Sequence, residues 1–308
     1  MKVYKDDEFS EYQDKATSLA LGTFDGLHRG HQKVIKKARN NARCSDLAAG
    51  IFSFVPHPRR VLNQEEGPRV ICSQRQKKEI LQEIGLDYYF CQEFTEEFSR
   101  MNFKDFIAGI LCDELKSGQL VVGKDFTFGH RGEGTSQDLK KMGRYLDFEV
   151  KIVSPLRIKG KKISSTRIRK LISEGRVGKI PPLLGRKFAL AGRVVHGSGR
   201  GHEIGFPTAN LELEADYVRP KKGVYAGYVV HEEKEYRSIA NFGRNPTFSE
   251  EDFRVEIHIL DLKEDRDFYG SRLEFTPVEF IREEQKFDSV EGLKETIKSD
   301  ILYTKKIL

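Results

Sequence analysis

The sequence has no run of about 18 apolar residues, so nothing in it reads as a membrane-spanning helix. Its opening residues, Met1-Lys2-Val3-Tyr4-Lys5-Asp6-Asp7-Glu8, lack the apolar core of a secretory leader. Cysteine is scarce: Cys44, Cys72, Cys91 and Cys112 are widely spaced, form no C-x-x-C pair and all fall in the first half. That pattern argues against a disulfide framework and a thiolate zinc site, and it predicts buried or free thiols in a reducing, cytoplasmic compartment. No G-x-x-x-x-G-K-[ST] string occurs, so any kinase here is not a P-loop enzyme. The glycines of Gly197-Ser198-Gly199-Arg200-Gly201 do not have the G-x-G-x-x-G order, and the residues around them are β-type, which argues against a dinucleotide fold there. Internal repeats and low-complexity stretches are also missing.

What is present fits an ordinary globular chain. Its 308 residues are 38% hydrophobic and 32% charged, enough for two cores and a well-solvated surface. The net charge of +6 suits either a nucleic-acid binder or an enzyme acting on polyphosphates. Basic residues alternate with acidic ones instead of gathering in runs, which favours the enzyme. Neither nucleic acid nor membrane is expected as a partner, and the oligomeric state is left open.

The first half alternates apolar runs (Leu19 to Phe24, Ala48 to Phe54, Tyr88 to Phe90, Leu120 to Val122) with amphipathic stretches (Ser73 to Ile84, Phe103 to Leu115). This rhythm predicts an α/β domain with a parallel sheet. Its last elements are a strand at 148–153 and a helix starting at Ser164-Ser165. From Gly185 the texture changes to short β-type runs separated by Gly, Pro and charged turns, predicting an antiparallel β-barrel. Asp288, with Glu291 three residues later, reads as the cap of one closing helix carrying Val290, Leu293, Ile297 and Ile301. Pro181-Pro182 marks the hinge, giving domains 1–182 and 183–308.

Gly22-Thr23-Phe24-Asp25-Gly26-Leu27-His28-Arg29-Gly30-His31 follows an apolar strand and opens an amphipathic helix. Backbone N–H groups and two imidazoles at a helix N-terminus make an anion site, and Gly26 and Gly30 let a phosphate approach the backbone. Ile163-Ser164-Ser165-Thr166-Arg167 offers hydroxyls, amides and a guanidinium at a second helix start. Together these strings resemble the two phosphate motifs of the HIGH-type nucleotidyltransferase superfamily. The resemblance implies that Gly22, Phe24, Asp25, Gly26, His28, His31, Ser164, Ser165, Thr166 and Arg167 bind ATP, with His28 and His31 at its α-phosphate. Transfer of AMP between phosphates needs positioning and charge stabilisation but no covalent nucleophile, and none is evident. Phe54-Val55-Pro56-His57-Pro58-Arg59 and Val122-Gly123-Lys124-Asp125-Phe126-Thr127-Phe128-Gly129 resemble the flavin-binding stretches of bacterial FAD synthetases. They imply flavin contacts at His57, Pro58, Arg59, Asp125, Phe126 and Phe128, although Phe126 and Phe128 also read as core residues at a strand end. The chain departs from the family at Ser53, where Thr is expected, and at His130-Arg131.

In the second half, Gly205-Phe206-Pro207-Thr208-Ala209-Asn210 resembles the riboflavin kinase signature. Gly223-Val224-Tyr225, Asn241 to Phe248, Val255-Glu256-Ile257-His258 and Ile281-Arg282-Glu283 follow in the order of that family. The resemblance implies Mg-ATP at Gly192, Val194, His196, Gly197, Gly201, Gly205, Pro207, Thr208 and Asn210, with Thr208 and Asn210 as hard-oxygen donors to Mg²⁺. It places flavin at Gly223, Tyr225, Glu256 and Arg282; Arg282 reads equally as one half of a solvated ion pair. Along Arg254 to Leu260, aliphatic Val255, Ile257 and Ile259 alternate with Glu256 and His258, so Glu256 lies opposite the apolar face. The family position it matches is the base for the ribityl hydroxyl.

Both signatures, spanning Leu19 to Asp300, resemble the bifunctional bacterial riboflavin kinase/FMN adenylyltransferase (FAD synthetase) family. The implied reactions are ATP plus riboflavin to FMN and ADP in the C-terminal domain, and ATP plus FMN to FAD and diphosphate in the N-terminal domain. Two other readings stay open on the residues alone: a nucleotidyltransferase for another phosphorylated acceptor with the barrel as a binding module, and an RNA-binding barrel on an α/β domain.

Overall fold

The computed structural model describes the chain except residues 63–66, 198, 245–252 and 263–267, and describes Arg200 and Arg244 by backbone only. The chain separates into two compact units, Met1–Pro68 with Gln74–Ser164, and Arg69–Ser73 with Ser165–Leu308.

The first unit is built on strands β1 (Lys2–Lys5), β2 (Thr17–Leu21), β3 (Ala48–Val55), β4 (Tyr88–Glu93), β5 (Ser117–Gly123) and β6 (Glu149–Val153). They form a sheet in the order β1-β4-β3-β2-β5-β6, parallel at each pairing. Helices α1 (Arg29–Cys44), α2 (Gln74–Ile84) and α3 (Ser136–Tyr145) belong to the crossovers. The sheet is apolar on both faces, as a covered parallel sheet must be. Leu19, Leu21, Phe52, Phe90, Leu120 and Val122 pack on one side, and Ala20, Ile51, Tyr89 and Val121 on the other with Ile35 and Ala38 of α1. Fully burying one such side chain contributes about 1.5–3 kcal/mol. After β2 the chain turns one way to β3 and β4 and later the other way to β5 and β6, so the C-terminal end of β2 is a topological switch point, where open α/β sheets bind ligands. The expected helix over 103–115 contains a π-helical segment, Phe106–Glu114, which ends with Leu115 N–H donating to the carbonyl of Ile110.

The second unit holds a closed barrel of β7 (Leu190–Val195), β8 (Ala209–Leu213), β9 (Gly223–His231), β10 (Lys234–Arg244), β11 (Phe253–Ile259) and β12 (Arg272–Arg282), in the order β7-β8-β11-β10-β9-β12. All pairings are antiparallel. On β11, Val255, Ile257 and Ile259 are buried while Glu256 and His258 are only partly so, the alternation expected from the sequence. Helix α4 (Ser165–Ser173) opens the unit and α5 (Val290–Ile307) closes it. The cap of α5 is Ser289, whose Oγ accepts from Gly292 N–H at 3.1 Å. The cap is therefore one residue later than Asp288, because the serine hydroxyl reaches the third amide of the helix. Ile301 of α5 packs on Val224, Ile239 and Leu260, whereas Val290, half-exposed, does not share that contact. Residues 176–184, expected as a hinge, form two short helical turns at Val177–Lys179 and Pro181–Leu184. Ile180, Leu183 and Leu184 in this stretch are buried.

Five residues from the N-terminal half complete the second unit. Val70 bridges to Tyr217; its N–H donates to Asp216 O at 2.9 Å, and its carbonyl accepts from Val218 N–H at 2.8 Å. Arg69 pairs with Asp216 at 3.1 Å, and the Ser73 hydroxyl donates to Glu214 at 2.6 Å.

Candidate active sites

The loop after β2 lies at the switch point and is wound against its preference. Phe24 and Leu27 have left-handed φ values of 48° and 41°, and Gly26 has 74°. For residues with a Cβ this costs roughly 1–2 kcal/mol each, so the surroundings must hold them. Leu27 O accepts from Gln32 Nε2 at 2.9 Å. At the other end Thr23 O accepts from Ser53 Oγ at 3.0 Å and from Lys77 Nζ at 3.0 Å. Ser53, the departure from the family's threonine, thus still supplies a hydroxyl donor. Gly22 is packed edge-on by its own loop: a Cβ there would sit 3.2 Å from the Phe24 ring.

The loop delivers His28 to the N-cap of α1, where its Nδ1 accepts from His31 N–H at 3.1 Å. An accepting Nδ1 puts the proton of the neutral ring on Nε2, so Nε2 is a hydrogen-bond donor at a helix N-terminus. The two imidazoles stack with centroids 3.6 Å apart, and Phe24 meets His31 edge-on at 5.5 Å. Asp25, Gly26 and His28 are buried. A Cβ on Gly30 would lie 3.0 Å from the His28 ring and 4.0 Å from Ile163 O, so the strand-end before Ser164 reaches the histidine loop. Ser165, Thr166 and Arg167 make the first turn of α4.

Of the flavin candidates in this unit, His57 Nδ1 accepts from Arg59 N–H at 3.2 Å, and Pro58 and Arg59 begin a short helix, Pro58–Leu62. Asp125 is exposed and hydrogen-bonded to Lys162, whose ammonium holds its carboxyl below the usual carboxylate range. Phe126 and Phe128 stack at 5.4 Å. Phe128 is buried in the core with Phe106, and Phe126 packs against that core partly exposed, so Phe126 presents more ring to solvent. His130 and Arg131 fall in a 3-10 turn, His130–Gly132.

In the barrel, strand register assembles the candidates. Glu256 of β11 stands opposite Asn210 of β8 and opposite Asn241 of β10. Directly opposed residues share a sheet face, so carboxylate and two carboxamides form one polar row. The row continues through Val224 of β9 to Arg282 of β12, three strand spacings or about 14 Å from Glu256. Arg282 is tied down there by an ion pair with Asp300 of α5 at 2.8 Å. Asn241 was not among the residues expected from sequence; it lay within a matched string, and only the register gives it a place beside Glu256.

Glycines press against the same row. A Cβ on Gly197 would fall 2.0 Å from Asn210 Nδ2 and 2.8 Å from its Oδ1, and one on Gly201 would fall 3.0 Å from Thr208 Oγ1. Only bare backbone fits against these two oxygen donors. His258 Nδ1 lies 2.8 Å from Pro207 O, pinning the Gly205–Asn210 stretch to β11. Gly205 has φ 86°. Val194 is buried, and His196 stacks on Tyr269 at 4.0 Å. Gly192 is a packing glycine: a Cβ would meet Glu212 O of β8 at 2.1 Å. Gly223 has φ 136°, and a Cβ there would meet Arg282 O at 2.2 Å. Tyr225 is fully buried between Phe242 and Phe280. Its hydroxyl donates to Lys221 O at 2.7 Å, and burial pushes the phenol up. Residues 245–248 of the matched Asn241–Phe248 string lie outside the described residues. Among the described residues no cluster of three or more His, Cys, Asp or Glu could hold a metal.

A glycine- and histidine-bearing loop at the switch point of one unit, and a carboxylate flanked by two carboxamides in the other, give each unit its own polar constellation, as two separate phosphate-transfer reactions in one chain require. Residues 10–167 match the FAD synthetase family model and residues 184–308 the riboflavin kinase model. The chain belongs to the bifunctional riboflavin kinase/FMN adenylyltransferase family and is an enzyme with both activities. It is similar to proteins of that name from Listeria monocytogenes, 37% identical over 94% of this chain and 92% of the relative, and from Escherichia coli K12, 35% identical over 95% and 93%. A solved Streptococcus pneumoniae structure, 32% identical with a TM-score of 0.88 and 99% of both chains covered, carries the description macrolide-efflux protein. In the present chain no helix among the described residues is long and apolar enough to cross a membrane.

Proposed function

We propose that residues 1–182 carry adenylyl transfer to FMN and residues 183–308 the phosphorylation of riboflavin, at the residues described above. The observation that carries the kinase assignment is the register placing Glu256 between Asn210 and Asn241. In that reaction the ribityl hydroxyl oxygen bonds to the γ-phosphorus of ATP, the γ-phosphorus bond to the β–γ bridging oxygen breaks, and Glu256 takes the hydroxyl proton. Thr208 and Asn210 suit Mg²⁺, since each offers a neutral hard oxygen, Oγ1 and Oδ1. When bound, the ion would neutralise phosphate charge. Gly197 and Gly201 bring backbone close to the nucleotide, and the His258 contact holds the signature stretch in place.

In the first unit an oxygen of the FMN phosphate bonds to the α-phosphorus of ATP and diphosphate leaves. His28 Nε2–H donates to an α-phosphate oxygen, where negative charge grows. The stacked His31 ring limits how the His28 ring can turn. Ser164, at the end of this unit, meets the leaving diphosphate. His57, Arg59, Asp125 and Phe126 line the flavin side. A compartment with reduced thiols suits the free cysteines.

Two variants of the full chain test the division of labour. His28→Ala lowers FAD formation from FMN by about 10² to 10³ and leaves riboflavin phosphorylation near normal. Glu256→Gln lowers phosphorylation by about 10² to 10⁴ and leaves conversion of supplied FMN intact. Loss of both activities in either folded variant refutes the separation.

A further inference from the structure

Helix α2 carries an anomaly in its buried stripe. Lys77, Leu81 and Ile84, spaced as one helical face, are all buried. Lys77 is only 3% exposed, and lysine is almost never so deeply buried unless paired. Its ammonium partners here are neutral: Thr23 O at 3.0 Å and Ser53 Oγ at 3.5 Å. Ser53 Oγ in turn donates to the same Thr23 carbonyl at 3.0 Å. A residue that served only to fill the stripe would be apolar, as Leu81 and Ile84 are.

What this cation grips is the last peptide before the left-handed turn. Phe24, Gly26 and Leu27 all have positive φ, and the turn ends at His28. Fixing Thr23 O at its start and Leu27 O at its end clamps the loop at both ends.

We propose that Lys77 is a positioning residue for adenylyl transfer: its buried ammonium, with Ser53, holds the Thr23 carbonyl so that the loop presents His28 to the α-phosphate. This rests on the adenylyl-transfer reading of the loop. Wild-type protein failing to make FAD from FMN and ATP would sink that reading itself; variants behaving as wild type would sink only the role of Lys77.

The measurement is initial-rate FAD formation against FMN concentration at saturating ATP, with riboflavin phosphorylation by the same preparation as an internal control of folding. Lys77→Met keeps the length but loses donor and charge, and kcat for FAD falls about 10²-fold with KM for FMN nearly unchanged. Lys77→Gln keeps a donor without charge and falls about tenfold. A purely structural lysine would instead lower the melting temperature and leave kcat in place well below it. Lys77→Met with normal kinase activity and a kcat for FAD within about twofold of wild type overturns the proposal. Should that variant not fold, Ser53→Ala decides. It removes the second donor to Thr23 O, a several-fold fall in kcat is expected, and an unchanged kcat overturns the proposal.

Discussion

Replacing Gly197 with alanine tests the kinase site most directly, because the structure sets the size of the insult. The new Cβ would stand 2.0 Å from Asn210 Nδ2, 2.5 Å from Cγ and 2.8 Å from Oδ1, against a closest tolerable approach of about 3.0 Å. All three atoms of the carboxamide are in the way, so turning the amide over brings no relief. Asn210 must move by about 1 Å, away from the Gly197 backbone. A misplacement of that size in a positioned group costs about 10² in rate. The backbone at 197 is not left-handed, so alanine adds no φ strain. The position lies outside the barrel strands, so the melting temperature should stay near that of the wild type. The assay is FMN formation from riboflavin and Mg-ATP, with FAD formation from supplied FMN alongside. Phosphorylation should fall about 10²-fold with adenylyl transfer unaffected. A Gly197→Ala enzyme that phosphorylates within about threefold of wild type would show that Asn210 does not need its observed place, and the assignment of Thr208 and Asn210 to the nucleotide would go with it.

Two further outcomes follow from particular contacts. Asp300→Ala leaves the mostly buried Arg282 guanidinium without its carboxylate partner and with the Glu283 carbonyl as its remaining acceptor; thermal unfolding should show a loss near 3 kcal/mol, or roughly 6–12 °C, and an unchanged melting temperature would mean the pair is screened. Gly201→Val should weaken ATP use by the kinase about as much as Gly197→Ala, since its Cβ would sit 2.6 Å from Phe206 O and crowd Thr208; normal KM for ATP would refute the crowding.

The sequence made the two architectures legible because their periodicities differ: buried parallel strands give apolar runs such as Leu19–Leu21, whereas the half-buried β11 alternates, and the alternation alone assigned Glu256 to the polar face. The strand–loop–helix unit that carries His28 and His31 was legible because an apolar run precedes the glycines and an amphipathic stretch follows them. Cross-strand register was not, since nothing local in Asn241 marks it as the neighbour of Glu256. Nor was Lys77, whose position on the helix wheel predicts burial while its residue type predicts exposure; only the carbonyl it meets resolves the conflict. Tyr225 and Phe128 lie in strings that match a family and are also buried, so a matched string carries core packing that its residue types alone do not reveal.

The segment Arg69–Ser73 bears on how such an enzyme can be taken apart. It leaves the first unit after Pro68, completes the second, and returns at Gln74. Splitting the gene anywhere near residue 165 or 183 would therefore hand over a kinase missing a piece of itself, with Tyr217 and the Asp216 and Val218 backbone stripped of the chain that covers them. The two activities are modular in chemistry but interleaved in covalent order. A stand-alone kinase descended from such a chain would need a new surface where Val70 now lies, and a stand-alone adenylyltransferase would need a shorter bridge from Pro68 to Gln74.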